Sequence, residues 1–163
     1  MVRYADNPNA LETIDIEAPC AVVWPLVSDP GVPARFSTEL QSAVWGDTGP
    51  HEGATIVGTN FHEARGTWTT TSVVTACQVD REFTWTVGDV DNPTAVWSFG
   101  LEPDDTGTRL SFRAVMGPGP SGVTSFIEKR PDLEEQIVAN RLGMWRDNMR
   151  RTLTGIKQLA EAG

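Results

Sequence analysis

The stretch from Pro131 to Gly163 constrains this chain more than any other. From Leu133 onward, Ile137, Val138, Leu142, Trp145, Met149, Leu153, Ile156 and Ala160 recur at three- and four-residue steps, the spacing of one face of an α-helix. The stripe carries a Trp and a Met at its centre, so it needs a broad apolar partner. Upstream, from about Leu40 to Met116, the pattern becomes alternation broken by glycine and proline, the signature of successive strands. A lone long helix closing a run of antiparallel strands buries its stripe most economically on the concave face of a curved sheet. Where the curvature exceeds what the helix fills, a cavity remains. The layout itself therefore predicts a container for something apolar.

The rest of the chain fits that layout. Leu11 to Glu17 alternates cleanly, with Ile14 and Ile16 between acids, and reads as a half-exposed first strand. Pro19 to Val27 places Val23, Trp24 and Val27 at helical spacing. Pro25 is expected early in that helix, where a missing N–H costs least. Val32 to Ser37 forms a second short helix after the stop at Ser28-Asp29-Pro30. Six further strands are expected at 40–46, 54–63, 67–79, 82–88, 94–102 and 108–116. Short breaks such as Asp80-Arg81 and Asp104-Asp105-Thr106-Gly107 make hairpins of them. Gly117 to Gly122, rich in glycine and proline, reads as the one flexible linker, and Val123 to Arg130 as a further short helix. The expected fold is α+β: a curved seven-stranded antiparallel sheet around a long C-terminal helix, with two short helices after strand 1, in one domain over residues 1–163.

Composition narrows the partners. The net charge is −9, with 13 Lys and Arg against 22 Asp and Glu, and no basic run is present. A nucleic-acid footprint is therefore absent, and anionic membrane surfaces should repel the chain. Cys20 and Cys77 stand apart without metal-site spacing. No signal-peptide pattern opens the chain and no run of about 18 apolar residues occurs, which makes a reduced, cytoplasmic protein without membrane insertion the expectation. No zinc, Walker or dinucleotide motif is found, so neither metal nor cofactor is expected. Monomer and homodimer are equally compatible with the sequence. Six Trp against one Tyr suit both a packed core and a flat-walled pocket.

Strand parity sorts the side chains facing the helix. On the third strand the parity of Ile56 carries Gly58, Asn60 and His62, and on the fourth it carries Trp68, Thr70, Ser72 and Val74. Phe83, Trp85 and Val87 follow on the fifth, Trp97, Phe99 and Leu101 on the sixth, and Leu110, Phe112, Ala114 and Met116 on the seventh. The opposite set, including Thr69, Thr71, Thr84, Thr86, Arg109 and Arg113, suits water. A one-residue bulge would invert part of this assignment. Asn60, His62, Thr70 and Ser72 are the polar exceptions in an otherwise apolar wall, the usual arrangement for orienting a ligand. They also satisfy a plainer reading, in which they bond to one another or to water. His62 is the only general acid or base in the inward set. Arg141 lies one turn before Trp145 and meets either an anionic ligand group or neighbouring carboxylates.

Several strings resemble one family. Ile14-Asp15-Ile16-Glu17-Ala18-Pro19 followed by Val22-Val23-Trp24, then Ser28-Asp29-Pro30, is similar to the opening of the SRPBCC (START-like) superfamily. Gly53-x-x-Ile56-x-Gly58-x-Asn60, Gly107-Thr108-Arg109-Leu110 and Asn148-x-x-x-Thr152-Leu153-x-x-Ile156-Lys157 continue the resemblance to about residue 161. The nearest branch looks like the bacterial polyketide cyclase/dehydrase-like group. The resemblance implies the helix-grip fold and a cavity for a hydrophobic small molecule, without fixing a reaction. In the resembling aromatase/cyclases the Trp-bearing strand continues inward with a Ser and then an Arg that polarises a polyketide carbonyl. Here those steps read Trp68, Thr70 and Ser72, so the cation is missing from its expected place.

The leading functional expectation is a carrier or sensor binding a lipid, polyketide or isoprenoid-like compound. Its ligand-binding residues are Asn60, Trp68, Thr70, Ser72, Trp85, Trp97, Phe99, Phe112, Arg141, Trp145 and Met149. The alternative is a cofactor-free polyketide cyclase, dehydratase or aromatase using His62 as catalytic residue. A third reading, an interaction module, would need a large exposed apolar patch, which the strand pattern does not show.

Overall fold

The computed structural model describes residues 2–163. Seven antiparallel strands form one sheet: β1 (Asn9–Ile16), β2 (Leu40–Trp45), β3 (Thr55–His62), β4 (Gly66–Gln78), β5 (Glu82–Asp89), β6 (Asn92–Asp104) and β7 (Gly107–Met116). The spatial order β1-β7-β6-β5-β4-β3-β2 is a meander with the first strand returned to the last. Helices α1 (Cys20–Val27) and α2 (Gly31–Ala34) bridge β1 to β2, α3 (Gly122–Lys129) follows β7, and α4 (Glu134–Ala162) closes the described chain. Short 3-10 turns at Tyr4–Asp6 and Pro131–Leu133 complete it. This is the helix-grip arrangement expected from the pattern.

The sheet curls because its register slips three times. Bulges interrupt pairing between Leu40 and Ser42, between Val74 and Ala76, and between Val87 and Gly88, and each extra residue bends its strand and increases the local twist. The concave face then receives α4, whose buried stripe includes Val138, Leu142, Trp145, Met149, Leu153, Ile156 and Ala160. Beneath the lower turns, Ile16, Phe99, Leu110 and Ala114 are sealed from solvent. Each large apolar side chain so buried contributes about 1.5–3 kcal/mol.

Four expectations need correction. Thr84 and Thr86, assigned to the wet face, are buried. Thr86 shares a 3.2 Å hydroxyl contact with Thr75, and the Thr84 hydroxyl donates to Glu82 at 2.8 Å. Both lie beside the bulge at Val74/Ala76, where their hydroxyls find partners within the protein. Pro25 is the sixth of the eight residues of α1, not an early one. Its ring removes a bond to the Ala21 carbonyl, and both residues lie on the solvent side. The Gly117–Gly122 segment is pinned rather than free. The Gly117 and Gly119 amides donate to the carbonyls of Thr94 and Pro93 at 2.8 and 2.7 Å, and the Tyr4 hydroxyl donates to the Gly119 carbonyl. A side chain at Gly119 would lie 2.1 Å from the Asn92 carbonyl oxygen, so only glycine permits that approach. Finally, the outer face does expose some apolar surface: the cross-strand partners Val44 and Val57, with Phe61 nearby on β3.

Candidate functional site

A segment and two tips converge above the concave sheet to leave a cavity of about 400 Å³. Its floor and walls come from β3 to β7, its roof from the first half of α4. Its mouth is framed by Ser37 to Leu40, the β3–β4 turn and the start of α3. The frame is tied to the roof. Asn148 Oδ1 accepts from the Thr38 backbone N–H at 2.9 Å, Arg151 Nε donates to the Phe36 carbonyl at 2.9 Å, and Arg141 pairs with Glu39. Phe36 also packs where Gly155 leaves room: a Cβ there would fall 2.4 Å from its ring.

Aromatic rings make the wall. Trp85 and Trp97, register partners on β5 and β6, lie nearly parallel, with 9° between planes and centroids 6.3 Å apart. Trp145 reaches down from α4 to within 4.9 Å of Trp97, and Phe112 adjoins Trp97 at 5.5 Å. Such tilted and offset contacts suit the ring quadrupoles and hold the planes in fixed directions. Trp68, Met149 and Phe83 extend the lining. Phe99 does not reach the cavity. It is wholly buried, stacked 4.0 Å beneath Phe112, because the curvature that opens the cavity over β5 closes over that part of β6. Phe83, not among the expected ligand contacts though of the right parity, lines the wall instead.

The polar exceptions stand where parity put them. Asn60, His62, Thr70 and Ser72 all line the cavity. Among the described residues, the side chains of Asn60, Thr70 and Ser72 form no hydrogen bond with one another or with another protein group, and none of their polar atoms is sealed away unpaired. They face open space. Gly58 makes room for Thr70, whose hydroxyl oxygen would lie 2.9 Å from a Cβ at position 58. Asn60, Thr70 and Ser72 do not bond to one another, which leaves their polar atoms to a ligand or to water.

His62 has a local partner. Its Nδ1 accepts the Ala64 backbone N–H at 3.0 Å, which closes the β3–β4 turn. With Nδ1 accepting, the neutral ring carries its proton on Nε2 and presents no basic lone pair to the cavity.

Arg141 is committed as well. Its guanidinium meets Glu39 through two contacts, Nη1 to Oε2 at 2.6 Å and Nη2 to Oε1 at 2.5 Å. Arg65, in the β3–β4 turn and outside the candidate set drawn from strand parity, lies on the same wall with its guanidinium 4.1 Å from the centre of the Trp68 ring. The signal for it was its position three residues before an inward Trp, in a tight turn.

A sequence profile for the family described as polyketide cyclase / dehydrase and lipid transport matches residues 9–161. The chain belongs to that family. Among solved structures, this family member is similar to a polyketide-cyclase-like protein from Corynebacterium glutamicum, at 31% identity over 94% of this chain and 91% of that one, with a TM-score of 0.65. The two-domain aromatase/cyclase BexL of the BE-7585A biosynthetic pathway shares the fold at 19% identity and a TM-score of 0.73. The match covers 98% of this chain and 53% of BexL, so the chain spans about half of that protein. The Ara h 8.0201 structure also shares the fold, at 12% identity, 96% and 99% coverage and a TM-score of 0.61. Among curated proteins, none matches. Family membership supports a hydrophobic-ligand-binding or cyclase role, and among the described residues no helix is long and apolar enough to cross a membrane.

Proposed function

We propose that this protein binds a hydrophobic small molecule between sheet and α4 as a carrier or sensor, without transforming it. The observation that carries this reading is the cavity of about 400 Å³ walled by Trp85, Trp97, Phe112 and Trp145. That volume lies within the range of small-molecule sites. The wall supplies apolar area, and Asn60, Thr70 and Ser72 supply sparse polar atoms that orient a ligand.

Catalysis asks for more. Cyclisation or dehydration needs a group that moves a proton at neutral pH and a cation or donor set that stabilises an enolate. The His62 lone pair is taken by Ala64, and Ser72 occupies the step where the resembling aromatase/cyclases carry Arg. A buried arginine aimed along β4 at a carbonyl is therefore lacking.

Native mass spectrometry of the protein purified from its own host tests the reading. Co-purification of an apolar molecule, with unchanged mass after prolonged incubation with the protein, is the expected result. A bound compound that is converted during incubation would favour the cyclase reading. Intrinsic Trp fluorescence insensitive to every apolar aromatic compound tried would count against both.

A further inference from the structure

Arg65 is fixed in place by its faces and free at its edges. One face of its guanidinium lies over the Trp68 ring at 4.1 Å. Its far end also lies against Gly122, where an added Cβ would come within 2.8 Å of Nη1 and 3.1 Å of Cζ. The glycine at the start of α3 thus makes the space the guanidinium occupies. Among the described residues, Arg65 has no ion pair and its guanidinium donates no hydrogen bond to the protein. The neighbouring carboxylate of Glu39 is taken by Arg141.

The local electrostatics are also unusual for this chain. The protein carries a net charge of −9, yet its cavity lining sets Arg65 and Arg141 against only two carboxylates, Asp29 and Glu39, and Glu39 is already paired with Arg141. Burial against its surroundings, and then the neighbouring Arg141 charge, hold Arg65 below the ordinary arginine range. Holding a second cation there opposes the stability of the empty protein. An anion at the guanidinium edge would reverse that.

A planar guanidinium clamped on its faces keeps its N–H edges for a planar, bidentate acceptor. We propose that Arg65 is the head-group site of the cavity, and that the ligand is an apolar, ring-bearing molecule with a carboxylate. The carboxylate would sit at the mouth on the Arg65 edge while the rings lie along Trp85, Trp97 and Trp145. This rests on the cavity-binding reading above and adds to it the charge and polarity of the ligand.

The test uses a matched pair of probes, 2-naphthoate and the neutral 2-naphthamide, titrated against the full chain by Trp fluorescence and calorimetry. The expected result is at least tenfold tighter binding of the carboxylate by the unmodified protein at low salt. In Arg65→Met, which keeps packing over Trp68, that preference should vanish while naphthamide affinity stays within about twofold. Retained naphthamide binding also reports that the variant is folded. Arg65→Lys keeps charge without the planar fork and should retain only part of the preference. Equal binding of both probes by the unmodified protein would overturn the head-group site and leave the apolar cavity standing. A carboxylate preference that survives Arg65→Met would overturn the assignment to Arg65. Failure of both probes to bind would remove the cavity reading and this proposal with it.

Discussion

Arg141 on α4 and Glu39 ahead of β2 grip each other through two nitrogen–oxygen contacts of 2.6 and 2.5 Å, across 102 residues of sequence. Both side chains are largely withdrawn from solvent, 20% and 14% exposed. Removing one member leaves the other charge partly buried and unanswered, which costs more than the pair contributes. Glu39→Gln is expected to lower unfolding free energy by about 1–3 kcal/mol, measured by urea denaturation. An unchanged midpoint would show that the pair does not hold the mouth segment to the helix.

Trp145 is both roof and packing. Its ring contacts Trp97 at 4.9 Å and is 8% exposed. Trp145→Ala is expected to cost about 3–5 kcal/mol, toward the lower end because one side already faces the cavity. It should also enlarge the site. The check is a thermal melt together with a titration of ring compounds: bulkier ones should gain affinity relative to smaller ones.

His62 is expected to be a turn residue more than a chemical one. His62→Gln removes the Nδ1 acceptor for the Ala64 amide and should cost about 0.5–1.5 kcal/mol. Ligand affinity should change by no more than a few-fold. Turnover of a polyketide-like substrate that disappears in this variant would overturn the carrier reading.

The lower turns of α4 are expected to be indispensable. Truncation at Gly143 removes Trp145, Met149, Leu153 and Ile156, all buried. At about 1.5–3 kcal/mol each the loss is about 6–12 kcal/mol, comparable to the whole stability of an ordinary domain. The truncated chain should lack a cooperative unfolding transition by circular dichroism.

Acid should loosen the helix at both ends. Glu134 accepts from the Arg3 guanidinium at 3.0 Å and the Tyr4 backbone N–H at 2.9 Å, and these hold it below the ordinary carboxylate range. Glu161, bonded by Lys157 and the Glu17 N–H, is lowered likewise. A carboxylate lowered on folding stabilises the folded state above its unfolded pKa of about 4.3. That stability is lost as pH falls through the folded value. Stability should therefore decline below about pH 4.5. The decline should be shallower in Glu134→Gln/Glu161→Gln, read from denaturant midpoints at pH 7, 4 and 3.

Strand order, helix and cavity were legible because each rests on periodicity. The alternation of β3 to β7 and the three- and four-residue steps of α4 survive tertiary context, and the observed boundaries lie within two residues of those expected for the second to seventh strands. The residues that escaped depend on curvature, which has no period. Phe99 has the parity of a wall residue yet lies under Phe112, since the sheet bends away from the cavity there. Thr84 and Thr86 have the parity of wet residues yet are covered beside a bulge. Arg65 sits in a turn, where parity says nothing, and its importance comes from a contact with Gly122 that is 57 positions away in the sequence. Pro25 shows the same limit on a small scale: the helix begins at Cys20, five residues before it, so the proline lies beyond the first turn that it prefers.

The residues that α4 offers to the cavity stop at Thr152, whereas Leu153, Ile156 and Ala160 beyond it are sealed in the core. Consecutive turns of one helix thus answer to different selective pressures. Changes in the cavity-facing side chains upstream of Thr152 alter what fits, whereas the turns that follow serve the core alone. A lineage built on this scaffold can exchange one cargo for another by drift in a few upper-turn side chains, with no need to reinvent the architecture that holds them.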